Sequence, residues 1–174
     1  GSLQFGSTEK LKATIAAEIA GLLAFSAVKN NDKVGLLIYT DQIEKYVPPK
    51  KGRSHVLRVV REILYYQPEA KQTNLQSALE YLYRILTRSA VIFVISDFLD
   101  LGYEKALKIL HQKHDLIAIQ ITDQREQMIP ACSWVELEDA ETGETAVVNT
   151  NNQRFRDLYT KACNRRQEQL DLLF

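Results

Sequence analysis

Residues 90–98 read AVIFVISDF, an apolar run that ends at Ser96 and Asp97. A strand that is apolar at every position is typical of a parallel sheet covered by helices on both faces. A second such run, DLIAIQIT, occupies residues 115–122, and the helical pattern YEKALKILHQKH lies between the two. This alternation predicts an α/β fold. Because ligands of such sheets bind beyond the carboxyl ends of the strands, Ser96 and Asp97 are expected to face the ligand crevice.

The remainder of the chain continues the alternation and adds two hairpins. The predicted elements are a helix over residues 8–30 capped by Thr8, a strand hairpin over 33–49 ended by Pro48 and Pro49, amphipathic helices over 54–66 and 73–88, a hairpin over 134–150 around ETGE, and a closing helix over 154–174. Prolines place the second strand at a sheet edge. Trp134 is expected to start a half-buried strand and is assigned to the core rather than to a stacking platform. These elements predict one domain, residues 1–174, folded as a three-layer sandwich with a mostly parallel sheet.

Composition narrows the class of protein. The chain is 45% hydrophobic and 25% charged, with 22 basic and 22 acidic residues among 174, so a broad surface for nucleic acid or anionic lipid is not expected. The uninterrupted apolar runs are too short to span a bilayer. Cys132 and Cys163 have neither metal-site nor disulfide spacing and are interpreted as reduced structural thiols. These features predict a cytoplasmic domain without membrane contact.

Each candidate site residue has an ordinary structural alternative. Asp97 either serves a ligand site or starts the turn after its strand. Thr73 opens TNLQ, a capping-box pattern, and Asn74 is an equally good helix cap. Asp100 is interpreted as a residue near the start of the next helix. The residues alone leave the ligand and capping roles of Asp97 and Thr73 open.

Other catalytic patterns are absent from the sequence. His55, His111 and His114 show no metal-ligand spacing and are interpreted as surface residues. There is no glycine-rich phosphate loop and no GxSxG nucleophile motif. The residues alone therefore identify no catalytic machinery.

Several stretches, taken in order, resemble one bacterial family. They are NNDKVGLLIYTDQIEKYVPPKKGRSHVLRVVREI, QTNLQSALEYL, VIFVISDFLD, KHDLIAIQITDQREQMIP and EDAETGE. They resemble domain of unknown function 58, a family similar to the von Willebrand factor A-like fold. The resemblance implies a Rossmann-like sheet with a metal-ion-dependent adhesion site, in which Thr73 and Asp97 match two of the three ligand positions. Such oxygen ligands suit Mg²⁺, which can take a further ligand from a partner's carboxylate.

The start of the chain departs from the family pattern. The family carries an Asp-x-Ser-x-Ser motif immediately before a stretch like LQFG, residues 3–6. Gly1 and Ser2 are either a vector remnant or native; if native, Ser2 matches the last serine of that motif and is the third metal ligand. In either case we expect the aspartate of the motif and the first strand, which would lie in the middle of the sheet, to be missing. We expect weakened metal binding and self-association through the exposed sheet edges.

Two functions remain after this comparison. The resemblance implies a non-enzymatic protein-binding module that works with a MoxR-type AAA+ ATPase in a chaperone or assembly role, using Mg²⁺ in the intact parent. The alternative is a Mg²⁺-dependent hydrolase or phosphotransfer enzyme that uses Asp97. The alternative requires a second carboxylate near Asp97, and Asp100 is not expected to supply it.

Overall fold

The chain divides into two compact units, residues 1–121 and 122–174. The computed structural model describes residues 5–67, 73–123, 133–138 and 145–174. The first unit contains α1 (Phe5–Lys29), β1 (Val34–Tyr39), β2 (Ile43–Lys50), α2 (Arg53–Tyr65), α3 (Leu75–Ile85), β3 (Val91–Ser96), α4 (Glu104–His111) and β4 (Asp115–Gln120). The second contains β5 (Trp134–Glu138), β6 (Thr145–Asn149) and α5 (Gln153–Leu173). The expectation of one domain over 1–174 stays a prediction.

The two apolar runs form a parallel pair, as predicted. β3 and β4 pair in register along their whole length, so that Ser96 lies opposite Gln120 at their carboxyl ends. Ile92 and Val94 of β3 are buried, and α4 packs against β4 while α3 packs against α4. The opposite face carries Val91 and Phe93, which keep 56% and 41% of their surface exposed. Helix α1 also contacts β3, but among the described residues the face with Val91 and Phe93 is covered incompletely, whereas the fully apolar sequence predicted cover on both faces.

The hairpin of β1 and β2 is antiparallel, as predicted, but β2 does not end at its prolines. Pro48 and Pro49 lie inside the strand, which continues to Lys50. The register shifts between Val34 and Leu36, so Pro48 and Pro49 lie in a bulge opposite Gly35, where prolines are tolerated, and β2 pairs only with β1 among the described strands. Gly35 of β1 is required here, because a Cβ atom at this position would lie 3.0 Å from Pro49 Cγ.

Helix α1 packs through its small residues. It begins at Phe5, so Thr8 lies within the helix and the prediction that Thr8 caps it was wrong. Gly21 and Ala24 are buried, and Ala24 joins a core with Val47, Val56 and Val59. The larger side chains that set the helical periodicity are exposed, among them Leu11, Ile15, Leu22 and Phe25. Helix α1 thus contacts α2 and reaches the core through Ala24, and it leaves a large apolar stripe in solvent.

One stretch of α1 also meets the length and composition of a membrane span. Leu11–Lys29 has 19 residues with a mean hydropathy of 1.6, and 11% of it is buried. Core helices of water-soluble proteins and signal sequences meet the same criteria, so this property is weak evidence for a membrane location.

The strands form three separate two-stranded sheets within the described residues. They are β1–β2, β3–β4 and β5–β6, and only β3–β4 is parallel. The α/β class is therefore confirmed, whereas the mostly parallel, continuous sheet is not what these residues form. The sheets remain separate because no described strand pairs with the second edge of β1 or with the second edge of β3.

The second unit consists of the predicted hairpin and the closing helix. β5 and β6 are antiparallel, and the Asn152 side chain caps α5 by accepting from Arg154 N at 3.0 Å. Trp134 is 67% exposed, so its assignment to the core was wrong. Cys163 is half-buried and forms no disulfide with another described residue. The ETGE turn and Cys132 lie outside the described residues.

Candidate functional site

The site begins at the carboxyl end of β3, where two side chains fold back on the loop that follows. The Ser96 hydroxyl oxygen accepts a hydrogen bond from Phe98 N at 3.1 Å, and Asp97 Oδ1 accepts one from Leu99 N at 3.1 Å. These bonds show that Asp97 does start the turn. Its second oxygen, Oδ2, lies 4.0 Å from Lys12 Nζ, and the side chain remains 40% exposed. Asp97 therefore keeps one carboxylate oxygen available beyond its turn.

The loop is fixed by Phe98, which has an unusual backbone conformation. Its φ angle is 55°, in the left-handed region that side-chain-bearing residues rarely occupy. The ring is completely buried and packs against Tyr103 with 5.8 Å between ring centroids. Burial of the aromatic ring offsets the backbone strain. The conformation turns the chain sharply between Asp97 and Asp100.

In the structure the N-cap residue of α3 is Asn74, not Thr73. The helix begins at Leu75, and the Asn74 side chain accepts from Ser77 N at 2.9 Å. The capping-box interpretation of Thr73 was therefore wrong, because Thr73 lies one residue before the cap. Its hydroxyl instead donates to Asp100 Oδ1 at 3.0 Å. Thr73 is thus directed across the fold toward the loop after β3.

Asp100 connects this loop to α3. Its Oδ1 atom accepts from the Thr73 hydroxyl and its Oδ2 atom accepts from Leu75 N at 2.5 Å. The interpretation of Asp100 as a start residue of the next helix was wrong, since α4 has Tyr103 at its cap position. Asp100 caps the distant helix α3, 25 residues earlier in the chain. Sequence spacing gives no signal for such a contact.

The end of β1 closes the other side of the site. The Asn74 backbone N–H donates to the Thr40 carbonyl at 2.8 Å, which holds the start of α3 against the end of β1. Thr40 is buried, and its hydroxyl donates to Glu44 Oε1 at 2.7 Å. The phenol of Tyr39 hydrogen-bonds to Ser96 and so joins the carboxyl ends of β1 and β3.

The electrostatics of Tyr39 report its surroundings. Burial, helped by the negative charges of Asp100 and Asp97, raises the pKa of Tyr39 to about 12, while the hydrogen bond with Ser96 opposes the rise. Both carboxylates therefore lie close enough to act on the same phenol. Sequence reasoning missed Tyr39, whose strand reads only as a buried apolar run.

Thr73 and Asp97 lie in the same region, at the carboxyl ends of β1 and β3. The hydrogen bond of the Thr73 hydroxyl, however, is to Asp100. Ser2, the third predicted metal ligand, lies outside the described residues. Lys12, predicted only as part of the first helix, is a further member, because its ammonium group approaches Asp97.

The donor atoms at this edge fit a hard divalent cation. The side chains present hydroxyl and carboxylate oxygens, the ligands that Mg²⁺ prefers, and a cation bound there would displace the ammonium group of Lys12, which lies 4.0 Å from Asp97 Oδ2. Thr73 and Asp97 would hold such an ion. Within residues 5–67, 73–123, 133–138 and 145–174, no group of three or more His, Cys, Asp or Glu side chains is placed to bind a metal by itself. A complete site would thus need hydroxyl, water or further ligands.

The histidines have three different environments. His111 is exposed, as predicted. His55 is half-buried, with its Nε2 atom 2.9 Å from the Val34 carbonyl oxygen. His114 is only 3% exposed, so its assignment to the surface was wrong. Its polar neighbours in the sequence suggested an exposed helix end. In the structure His114 lies directly before β4, and its ring is buried.

The comparison with known proteins supports the family that the stretches quoted above resemble. It supports nothing finer than the family. Residues 1–169 match the family model described as "Protein of unknown function DUF58". No solved structure matches the chain.

The relatives are mycobacterial. Uncharacterized proteins of Mycobacterium bovis and Mycobacterium tuberculosis are 29% identical over 145 residues, which cover 82% of this chain and 46% of the relative. The chain thus spans about half the length of these curated relatives. An uncharacterized protein of Mycobacterium avium is 31% identical over 119 residues, or 67% of this chain and 70% of that protein. Together with the family match over residues 1–169, these relatives show that the chain belongs to the DUF58 family.

Proposed function

We propose that this chain is a von Willebrand A-like module that docks a protein partner, with Mg²⁺ bound at Thr73 and Asp97 in the intact parent. Its working partner is a MoxR-type AAA+ ATPase, in a cytoplasmic chaperone or assembly role. The observation that carries the proposal is the oxygen-rich edge formed by Thr73, Asp97 and Asp100, in which Asp97 remains accessible to a partner.

The surroundings of Asp97 support a docking role. Leu99 and Leu101 lie in the loop that carries the two aspartates and are 40% and 78% exposed. Apolar side chains beside a charged contact point supply the buried area that a protein interface needs. A bound cation would add a charge at this edge and hold the approaching partner group, while the apolar loop would exclude water around it.

The proposed von Willebrand A-like arrangement rests on the free strand edges. β1 and β3 each have one unpaired edge among the described strands, and Tyr39 and Ser96 join their carboxyl ends. A parallel strand between them would convert the two small sheets into one. Such a strand would deliver its following loop to the edge where Thr73 and Asp97 lie, which is the position that the family resemblance implies for the Asp-x-Ser-x-Ser motif.

One observation favours the enzymatic alternative. Asp100 and Asp97 both raise the pKa of the Tyr39 phenol, so a second carboxylate, which a Mg²⁺-dependent hydrolase needs, lies in the same region as Asp97. Both Asp100 oxygens are already used as acceptors for Thr73 and Leu75. A phosphatase assay of the full-length protein distinguishes the two functions: Mg²⁺-dependent turnover that disappears in Asp97→Ala would establish the enzyme.

The docking proposal is tested by partner capture. Full-length wild type, Asp97→Ala and Thr73→Ala would be compared for binding to the purified MoxR-type ATPase of the same organism, with Mg²⁺ and with EDTA. We expect both substitutions and EDTA to weaken binding at least about tenfold, because each removes a cation ligand or the cation. Undiminished binding by both variants would refute metal-dependent docking.

The apolar loop offers a second, independent test. Leu101→Ser should weaken partner binding about tenfold, because it removes exposed apolar area beside Asp97, and should leave Mg²⁺ affinity unchanged. Leu57→Ser is the matched control: Leu57 is 47% exposed, and its helix neighbour His55 contacts the opposite end of β1. Equal effects of the two substitutions would argue against a docking surface at this loop.

A further inference from the structure

The Asp100 carboxylate makes two contacts that have different purposes. Its Oδ2 atom accepts from the backbone N–H of Leu75, one of the amides that a helix start leaves without an intrahelical partner. Its Oδ1 atom accepts the hydroxyl proton of Thr73 at 3.0 Å. The first contact stabilises α3, and the second determines the orientation of a side chain outside that helix.

The contact with Thr73 has a chemical consequence. A threonine hydroxyl has one proton and two acceptor lone pairs. When the proton is donated to a carboxylate, the rotation of the hydroxyl is fixed and both lone pairs are left to face other groups. A charged acceptor also increases the electron density on the hydroxyl oxygen, as carboxylates do for metal-binding imidazoles. The oxygen of Thr73 is thereby prepared to bind a positive centre.

Two contacts of the neighbouring residue also fix the position of Thr73. The next residue, Asn74, caps α3 through its side chain and is tied by its backbone N–H to the Thr40 carbonyl. The backbone at Thr73 is therefore set by β1 and α3, while Asp100 sets the side chain. This division means that backbone placement and hydroxyl orientation can be removed separately by substitution.

We propose that Asp100 is a positioning residue, which orients the Thr73 hydroxyl so that its lone pairs are available to a divalent cation. This inference rests on the proposed metal-dependent function and adds a residue that matches none of the three ligand positions implied by the family resemblance. Asp100 acts through Thr73 and does not itself need to touch the cation.

The test is a double-substitution cycle on the full-length protein, with Mn²⁺ alone as the probe, its affinity measured by calorimetry or electron paramagnetic resonance. Asp100→Ala should weaken Mn²⁺ binding about 10- to 100-fold, the range known for residues that orient metal ligands. In a Thr73→Ala background the same substitution should change Mn²⁺ affinity less than about twofold, because its target hydroxyl is gone. Its effect on thermal stability through Leu75 should persist in both backgrounds.

Asn74→Ala is the control for a merely structural role. It removes the other side-chain cap of α3 and should lower stability as Asp100→Ala does, while Mn²⁺ affinity stays within about twofold of wild type. Additive effects of Asp100→Ala and Thr73→Ala on Mn²⁺ affinity, or an equal loss in Asn74→Ala, would overturn the positioning role. If wild type binds Mn²⁺ and Asp97→Ala abolishes binding, the proposed site stands whatever Asp100→Ala does; absence of Mn²⁺ binding in wild type would overturn both proposals.

Discussion

Among the described residues, His114 is the side chain whose polar atoms are buried least favourably. Both ring nitrogens are buried and have no hydrogen-bond partner there. Burial lowers the pKa of His114, and the neighbouring positive charge of Lys113 lowers it further. The ring is therefore neutral in the folded protein at a pH where it would already be protonated in the unfolded chain. Below pH 6.5 the unfolded chain binds a proton that the folded chain excludes, so acid favours unfolding.

This linkage predicts an acid-sensitive stability that His114 causes. The free energy of unfolding contributed by His114 should be constant above about pH 7 and should fall by at most about 1.4 kcal/mol per pH unit below pH 6.5. His114→Leu should reduce the difference in urea stability between pH 7 and pH 5, because a neutral side chain has no proton to gain. His111→Leu, at the exposed last residue of α4, should leave it unchanged. An undiminished difference in His114→Leu would contradict the assignment.

At the scale of elements, two glycines show how packing gives one residue type opposite roles. Gly35 lies where β1 meets β2, and a Cβ atom there would lie 3.0 Å from Pro49 Cγ and 3.1 Å from the Val47 carbonyl oxygen. Gly21 lies inside α1, and a Cβ atom there would have no neighbour within 4 Å. The strand pair therefore needs its glycine for close approach, whereas the helix only bears its entropic cost.

Alanine substitution at Gly35 and at Gly21 should change the free energy of unfolding in opposite directions. Gly35→Ala should lower the free energy of unfolding by about 1–3 kcal/mol, because the strands must separate to admit the methyl group. Gly21→Ala should raise it by about 0.5–1 kcal/mol, the gain in helix propensity. Chemical denaturation with a common slope for both variants measures the changes. A destabilised Gly21→Ala would show that α1 approaches α2 more closely than the structure has it.

At the scale of the whole molecule, the exposed apolar surface is the feature that most affects behaviour in solution. Val91 and Phe93 on β3 and Ile117 on β4 share one exposed face, and β1 and β3 each have an unpaired edge among the described strands. Unpaired edges and large apolar patches favour association with another chain. The apolar stripe of α1 adds to this surface.

We therefore expect the 174-residue chain to self-associate. Light scattering should give a molar mass of twice the monomer or more at micromolar concentration, and Phe93→Lys should shift the mass toward the monomer, because a charge on the exposed sheet face opposes pairing. Ile109→Lys is the control, since Ile109 has a similar exposure of 37% but lies on α4, which packs against β4. A monomeric wild type at all concentrations would contradict this prediction.

The local sequence pattern was sufficient to predict the type and order of the elements, including the parallel pair β3–β4 and both hairpins. It also placed Asp97 at the end of its strand, because an apolar run that stops at a polar pair defines its own end. It failed where burial decides, as at His114 and Trp134, since neither residue's neighbours in the chain indicate which side of the element is covered.

The sequence by itself therefore determined the α/β class and the element order, because short-range periodicity encodes these properties. Only the tertiary structure decided that Asp100 holds Thr73, that Tyr39 joins β1 to β3, and that Asn74 is the helix cap. Those contacts join residues up to 57 positions apart, as from Tyr39 to Ser96. Hydrogen bonds across such distances depend on where the strands and helices meet in space, which no local pattern of residues specifies.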